Sequence, residues 1–157
     1  MIYYFSGTGN SAWVARMLAD ATSDRCEDMS TYLKNGWHPP PLVPGERLGL
    51  VFPVHAWRPP RVVLDFINQL PPPSEESYVF AVCTMGGFAG NTFAFLRQFI
   101  RLDSCYSVLM PENYILLAGR ESDAQIKHKI SAAKALIPKI AASILAGKKA
   151  FLVKRGL

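Results

Sequence analysis

The chain has 157 residues, half of them apolar and 18% charged, with a formal net charge of +5, and is read as one globular domain over residues 1–157. No apolar stretch approaches the roughly 18 residues needed to span a bilayer, because Pro111, Glu112 and Asn113 interrupt the most apolar late region. The three cysteines, Cys26, Cys83 and Cys105, are too few and too scattered for a disulfide framework or a thiolate metal site, and read as buried thiols.

In chain order, Met1–Phe5 is a short aromatic run that gives way to glycines and hydroxyls, the pattern of a buried strand ending in a loop. Apolar residues at Ala12, Val14, Ala15, Leu18 and Ala19 then recur at helical spacing, with Asn10 or Ser11 suited to cap the start. Arg25–Met29 is a weak second strand and Leu48–Val54 a strong third. Between them Pro39, Pro40 and Pro41 forbid regular structure, leaving an irregular crossover with room for a short helix over Thr31–Asn35.

Pro59 and Pro60 suit the first turn of a helix running to about Leu70, with Val62, Val63, Phe66, Ile67 and Leu70 on one face. Pro71, Pro72 and Pro73 stop it. Tyr78–Thr84 reads as a fourth buried strand, Asn91–Leu102 as an amphipathic helix, Tyr106–Met110 as a fifth strand and Asp123–Leu145 as a long final helix. This alternation predicts an α/β fold: a parallel sheet covered on both faces, with ligands at the carboxyl ends of its strands.

The loop Ser6-Gly7-Thr8-Gly9-Asn10-Ser11 lies where a strand becomes a helix, so backbone N–H groups and the helix dipole converge on an anion-sized spot. A nucleotidase phosphate loop would need a lysine after a later glycine, and none is present. Gly7, Gly9 and Ala12 do satisfy the dinucleotide spacing, with Glu27 or Asp28 near the ribose position. That motif, however, binds a pyrophosphate mainly through backbone. Hydroxyls at Ser6, Thr8 and Ser11 and an amide at Asn10 better suit the several acceptor oxygens of a terminal monophosphate, which favours FMN over NAD.

Three segments together resemble the flavodoxin-like domains of the flavodoxin–ferredoxin fusion proteins of anaerobic microbes: Tyr3–Ser11, Pro53-Val54-His55-Ala56-Trp57 and Cys83–Gly90. The resemblance covers nearly the whole chain. It implies a three-layer sandwich around a five-stranded parallel sheet in the order 2-1-3-4-5, with FMN at the switch point. The loops after strands three and four then flank the flavin ring. Trp57 is the expected stacking residue. Thr84, Met85, Gly86, Gly87, Phe88, Gly90 and Asn91 form the facing loop, whose backbone can approach the pyrimidine edge while Phe88 packs on the dimethylbenzene side. His55 and Arg58 depart from the family pattern, which has tyrosine and glycine there. Relatives carry cysteine-rich iron–sulfur motifs after this part, and none occurs up to Leu157.

The expected function is that of an FMN electron carrier or flavin-dependent redox domain. The alternatives are an NAD(P)H-dependent flavin or quinone reductase and a flavin-free interaction module. A low-molecular-weight phosphatase would need Cys-x5-Arg, but Ala89 and Pro111 stand at the two required positions. The positive charge suits an acidic partner, and the resemblance to the flavodoxin–ferredoxin fusion proteins implies that this is a ferredoxin-type or other acidic redox protein. No aromatic residues interleave a basic stripe around Lys148, Lys149, Lys154 and Arg155 in the way single-strand nucleic-acid binders require. Without a basic leader or a small-residue cleavage site, the expected location is the cytoplasm.

Overall fold

Six short parallel strands line up in the order β2-β1-β3-β4-β5-β6 in the computed structural model, which describes residues 1–112 and 121–156. They are β1 (Ile2–Tyr4), β2 (Cys26–Asp28), β3 (Arg47–Pro53), β4 (Tyr78–Met85), β5 (Ser104–Leu109) and β6 (Phe151–Leu152). The helices between them are α1 (Asn10–Thr22), α2 (Met29–Asn35), α3 (Arg61–Ile67), α4 (Thr92–Leu96) and α5 (Asp123–Leu145).

Because side chains alternate across each strand, β3 sends Leu48, Leu50 and Phe52 to one face and Val51 to the other. The first face packs against Met29, Val63, Phe66, Phe93 and Leu96 of α2, α3 and α4. The second packs against Val14 and Leu18 of α1 and Ile137, Ile140 and Ile144 of α5. Both faces are therefore covered, which is why β3 and β4 are near-continuous apolar runs. Among the described residues no helix is long and apolar enough to cross a membrane.

The predicted order of five strands recurs, and a sixth strand extends it. After α5 the chain turns through Gly147 (φ 61°), and the carbonyl of Ala150 accepts the Cys105 amide at 2.8 Å. Ala150–Val153 is too short an apolar run, set among lysines, to announce a strand; the unpaired edge of β5 recruits it. Elsewhere the boundaries move. β5 begins two residues earlier than predicted, and Pro59 and Pro60 precede α3 rather than sitting in its first turn, Pro60 being its N-cap. The helix expected over Asn91–Leu102 ends at Leu96. The chain then tightens: Gln98 and Phe99 donate to carbonyls three residues back, which brings Ile100 and Leu102 under the sheet before β5 starts. Asn113 lies outside the described residues.

Asp24, after α1, ties together the starts of the adjacent strands β1 and β3. Its carboxylate meets the N-terminal ammonium at 3.3 Å and Arg47 Nε at 3.2 Å. Burial opposes its ionisation, but hydrogen bonds from Thr22 and Arg47 and the two cations outweigh that and hold the carboxyl below its ordinary value. A depressed native value means stabilisation that is present above the unfolded pKa and lost as pH falls through the native one. Asp24→Asn should cost about 1–3 kcal/mol at neutral pH. Urea denaturation should show the gap between variant and parent closing as the solution is acidified below the carboxylate range.

Candidate functional site

The chain reverses direction across the sheet at β1, whose neighbours β2 and β3 are reached by crossovers on opposite faces. A cleft of about 790 Å³ opens there at the carboxyl ends of β1, β3, β4 and β5. Its size falls in the range of small-molecule and cofactor sites.

One end is the loop into α1, lined by Ser6, Gly7, Thr8, Asn10 and Ser11. Gly9, with φ 101°, occupies the N-cap, so Asn10 and Ser11 are the first helical residues and neither is the cap that the sequence suggested. Ser6 Oγ accepts the Gly9 amide at 3.0 Å. Asn10 Nδ2 donates to the Pro111 carbonyl at 3.1 Å, and the buried Ser11 and Thr84 hydroxyls lie 2.8 Å apart. These bonds rigidify the loop and fasten it to β4 and to the end of β5. The side chains predicted to ring an anion are thus partly committed to the scaffold. The N–H groups of the first turn of α1 have no intrahelical acceptor, and the helix dipole adds partial positive charge there.

Pro53, Val54, His55, Ala56 and Trp57 supply the next wall. His55 and Arg58 exchange both backbone hydrogen bonds at 3.0 Å, closing a two-residue hairpin turn in which Ala56 (φ 47°) and Trp57 (φ 60°) are left-handed. Two successive non-glycine residues in that region cost about 1–2 kcal/mol each. The hairpin is held by the Val54 amide, which donates to Thr84, and by the Arg58 guanidinium, 4.9 Å from the Phe95 ring centre. It presents Trp57 at the cleft, 65% exposed, with its inner edge on Gly90. A Cβ at Gly90 would lie 2.6 Å from Trp57 Cβ.

Thr84, Met85 and Gly86 line the cleft at the end of β4, whereas Gly9, Gly87, Phe88, Gly90 and Asn91 do not. For the last three the reason is the strand that the sequence did not reveal. Beyond β6 the carbonyls of Lys154 and Arg155 accept the Ala89 and Gly90 amides at 2.9 and 3.1 Å. Phe88 lies against Gly156 with the Lys154 ammonium 5.1 Å from its ring centre, while Gly90 and Asn91 line a separate shallow depression.

Sequence reasoning also missed Met110, Pro111 and Glu112, which complete the cleft. Their only signal was the position that a fifth strand must occupy. A Cβ at Gly86 would meet the Glu112 carboxylate, the far end of a flexible side chain, which would have to shift. Lys129 of α5 donates to the carbonyls of Gly86 at 3.1 Å and Met110 at 3.4 Å and pairs with Glu121. That hydrogen bond holds the Glu121 carboxyl below its ordinary value, and Glu121 in turn accepts the Glu112 amide. The exits of β4 and β5 are thereby fixed together. Cys83, by contrast, is fully buried in β4 and burial pushes its thiol up, while Cys105 is pushed up to about 11 by the same cause; neither is poised as a nucleophile.

No protein-family model and no curated protein matches the chain. Solved structures do. A Bacteroides uniformis protein assigned as a flavoprotein is 18% identical over 83% of this chain and 96% of its own, with a TM-score of 0.51. An FMN-dependent NADH-azoreductase from Bacillus anthracis, solved with FMN, is 10% identical over 92% and 98% of the two chains, with a TM-score of 0.54. An NAD(P)H:quinone oxidoreductase from Methanothermobacter marburgensis is 10% identical over 88% and 96%, with a TM-score of 0.51. At these identities the likeness establishes the fold alone, and the strand order about β1 makes that fold the flavodoxin-like one.

Proposed function

We propose that the chain binds one FMN in this cleft and exchanges electrons through it. The observation that carries the reading is the meeting, in one cleft, of an anion-sized helix N-terminus and an exposed tryptophan held on a strained hairpin. FMN-dependent activity in a protein of the same fold supports it.

The residues fit the group. Ser6, Gly7 and Thr8, with the first amides of α1, offer neutral donors to a terminal phosphate. Trp57 offers a flat apolar surface to the ring, and Met85 and Gly86 offer backbone to its polar edge. When bound, FMN supplies one- and two-electron chemistry. The protein's part is to orient the ring, limit water at its face, and set the charge around it. Glu112 places a carboxylate in that surrounding, which opposes further negative charge there.

Titration of purified protein with FMN should give a one-to-one complex with quenched flavin fluorescence. A protein that leaves the flavin spectrum and fluorescence untouched would overturn the reading in favour of a flavin-free module. Trp57→Ala should weaken FMN by about two- to tenfold, in line with the roughly 0.5–1.5 kcal/mol of aromatic stacking, and restore part of the flavin fluorescence. Unchanged emission would return Trp57 to a structural role.

The electron-exchange partner in this reading is an acidic redox protein of ferredoxin type, in keeping with the net charge of +5. The activities of the azoreductase and quinone oxidoreductase neighbours favour a second reading, a self-contained NAD(P)H-dependent reductase. NADH added to FMN-loaded protein separates the two. Rapid bleaching of the flavin band supports the reductase, and bleaching only by a reduced partner protein supports the carrier.

A further inference from the structure

Four cations gather beside the Trp57 edge of the cleft. Arg58 stacks on Phe95 at 4.9 Å, Arg97 on Phe151 at 4.1 Å and Lys154 on Phe88 at 5.1 Å. Arg155 shares a shallow depression with Arg97, Phe151 and Gly90, and Gly90 is the residue on which Trp57 rests. All four side chains are exposed, and none makes an ion pair or a side-chain hydrogen bond with a described residue. Arg47, Arg61, Arg101 and Lys129, by contrast, each face a carboxylate. The centre of the patch is apolar: Phe88 is 50% exposed, Phe151 48% and Leu152 63%.

Resting on the FMN reading for its purpose, we propose that this surface docks an acidic redox protein against the Trp57 side of the cleft. Two physical features argue for a protein. Aromatic rings and arginines around an apolar centre are what protein interfaces concentrate. Stacking on Phe95 and Phe151 also holds two guanidiniums in place, so less side-chain freedom is lost when a carboxylate binds. Lone arginines on a solvated helix would need no such platform. The open edge of β6, bearing Phe151 and Leu152, is continuous with the same surface.

The test is calorimetric titration of the protein, with and without FMN, by an acidic [2Fe–2S] ferredoxin. Arg97→Glu/Arg155→Glu should weaken association at least about tenfold at 0.01 M salt, where the Debye length is about 30 Å, and the difference should vanish near 1 M, where it is about 3 Å. Arg97→Gln/Arg155→Gln should fall between, with an unchanged circular dichroism spectrum to establish folding. Lys134→Glu/Lys139→Glu, on the exposed side of α5, makes the same change in net charge and should leave affinity within about twofold. Equal weakening by the α5 variant would reduce the effect to overall charge and overturn the proposal, as would ferredoxin binding that ignores salt or is absent. Tighter binding of a single-stranded oligonucleotide, lost in the Arg97/Arg155 variant, would reassign the surface and also overturn it. FMN binding is measured separately, so a protein that takes up ferredoxin but not FMN would sink the cofactor reading and leave the docking surface standing.

Discussion

FMN is expected to bind about two to four orders of magnitude more tightly than riboflavin, the same ring and ribityl chain without the phosphate. The phosphate would meet the start of α1, where the first-turn amides lack intrahelical acceptors and the helix dipole is positive. Hydrogen bonds to a charged group contribute about 1.5–3 kcal/mol each, so two of them give about 3–6 kcal/mol at about 1.4 kcal/mol per tenfold. The discrimination should rest on backbone, since the Asn10 amide and the Ser11 hydroxyl already hold Pro111 and Thr84. Parallel fluorescence titrations decide it. Equal affinities would mean that the ring end alone makes the site, and that the glycine and hydroxyl loop is no more than a helix start.

Gly90→Ala should cost about 2–5 kcal/mol of stability and displace the Trp57 hairpin. Two penalties coincide at one atom. Gly90 has φ 54°, where an L side chain costs about 1–2 kcal/mol. The added Cβ would also lie 2.6 Å from Trp57 Cβ, 2.7 Å from its Cδ1 and 2.8 Å from its Cγ. These atoms sit at the root of the side chain, so no rotamer relieves the clash and the hairpin backbone must move, at about 1–3 kcal/mol for such overpacking. Thermal unfolding should record the loss. A flavin titration should then show affinity reduced at least as far as in Trp57→Ala, because Ala56 and Trp57 move with the turn. A variant with parental stability and affinity would mean that Gly90 and Trp57 are not in contact.

The amino-acid sequence by itself determined the layered α/β architecture and the end of the sheet where the cleft lies. Burial on both faces demands continuous apolar strands, and those of β3 and β4 are long enough to be read directly. The small polar run Ser6–Ser11 and the tryptophan after β3 likewise announce themselves, because local chemistry dictates a helix entry and a turn. Tertiary structure alone decided which of their side chains face the cleft. Asn10 and Ser11 became struts because β4 and the end of β5 pass within hydrogen-bonding distance of them, a juxtaposition of residues more than 70 apart in the chain. Tertiary structure likewise decided the role of Lys129, whose ammonium reaches the carbonyls of Gly86 and Met110 from the sheet-facing side of α5. β6 shows the principle most plainly. Two residues carry no strand signal of their own, but the open edge of β5 offers them hydrogen bonds, and their capture draws Lys154 and Arg155 onto the loop at Ala89 and Gly90 and takes Phe88 out of the cleft.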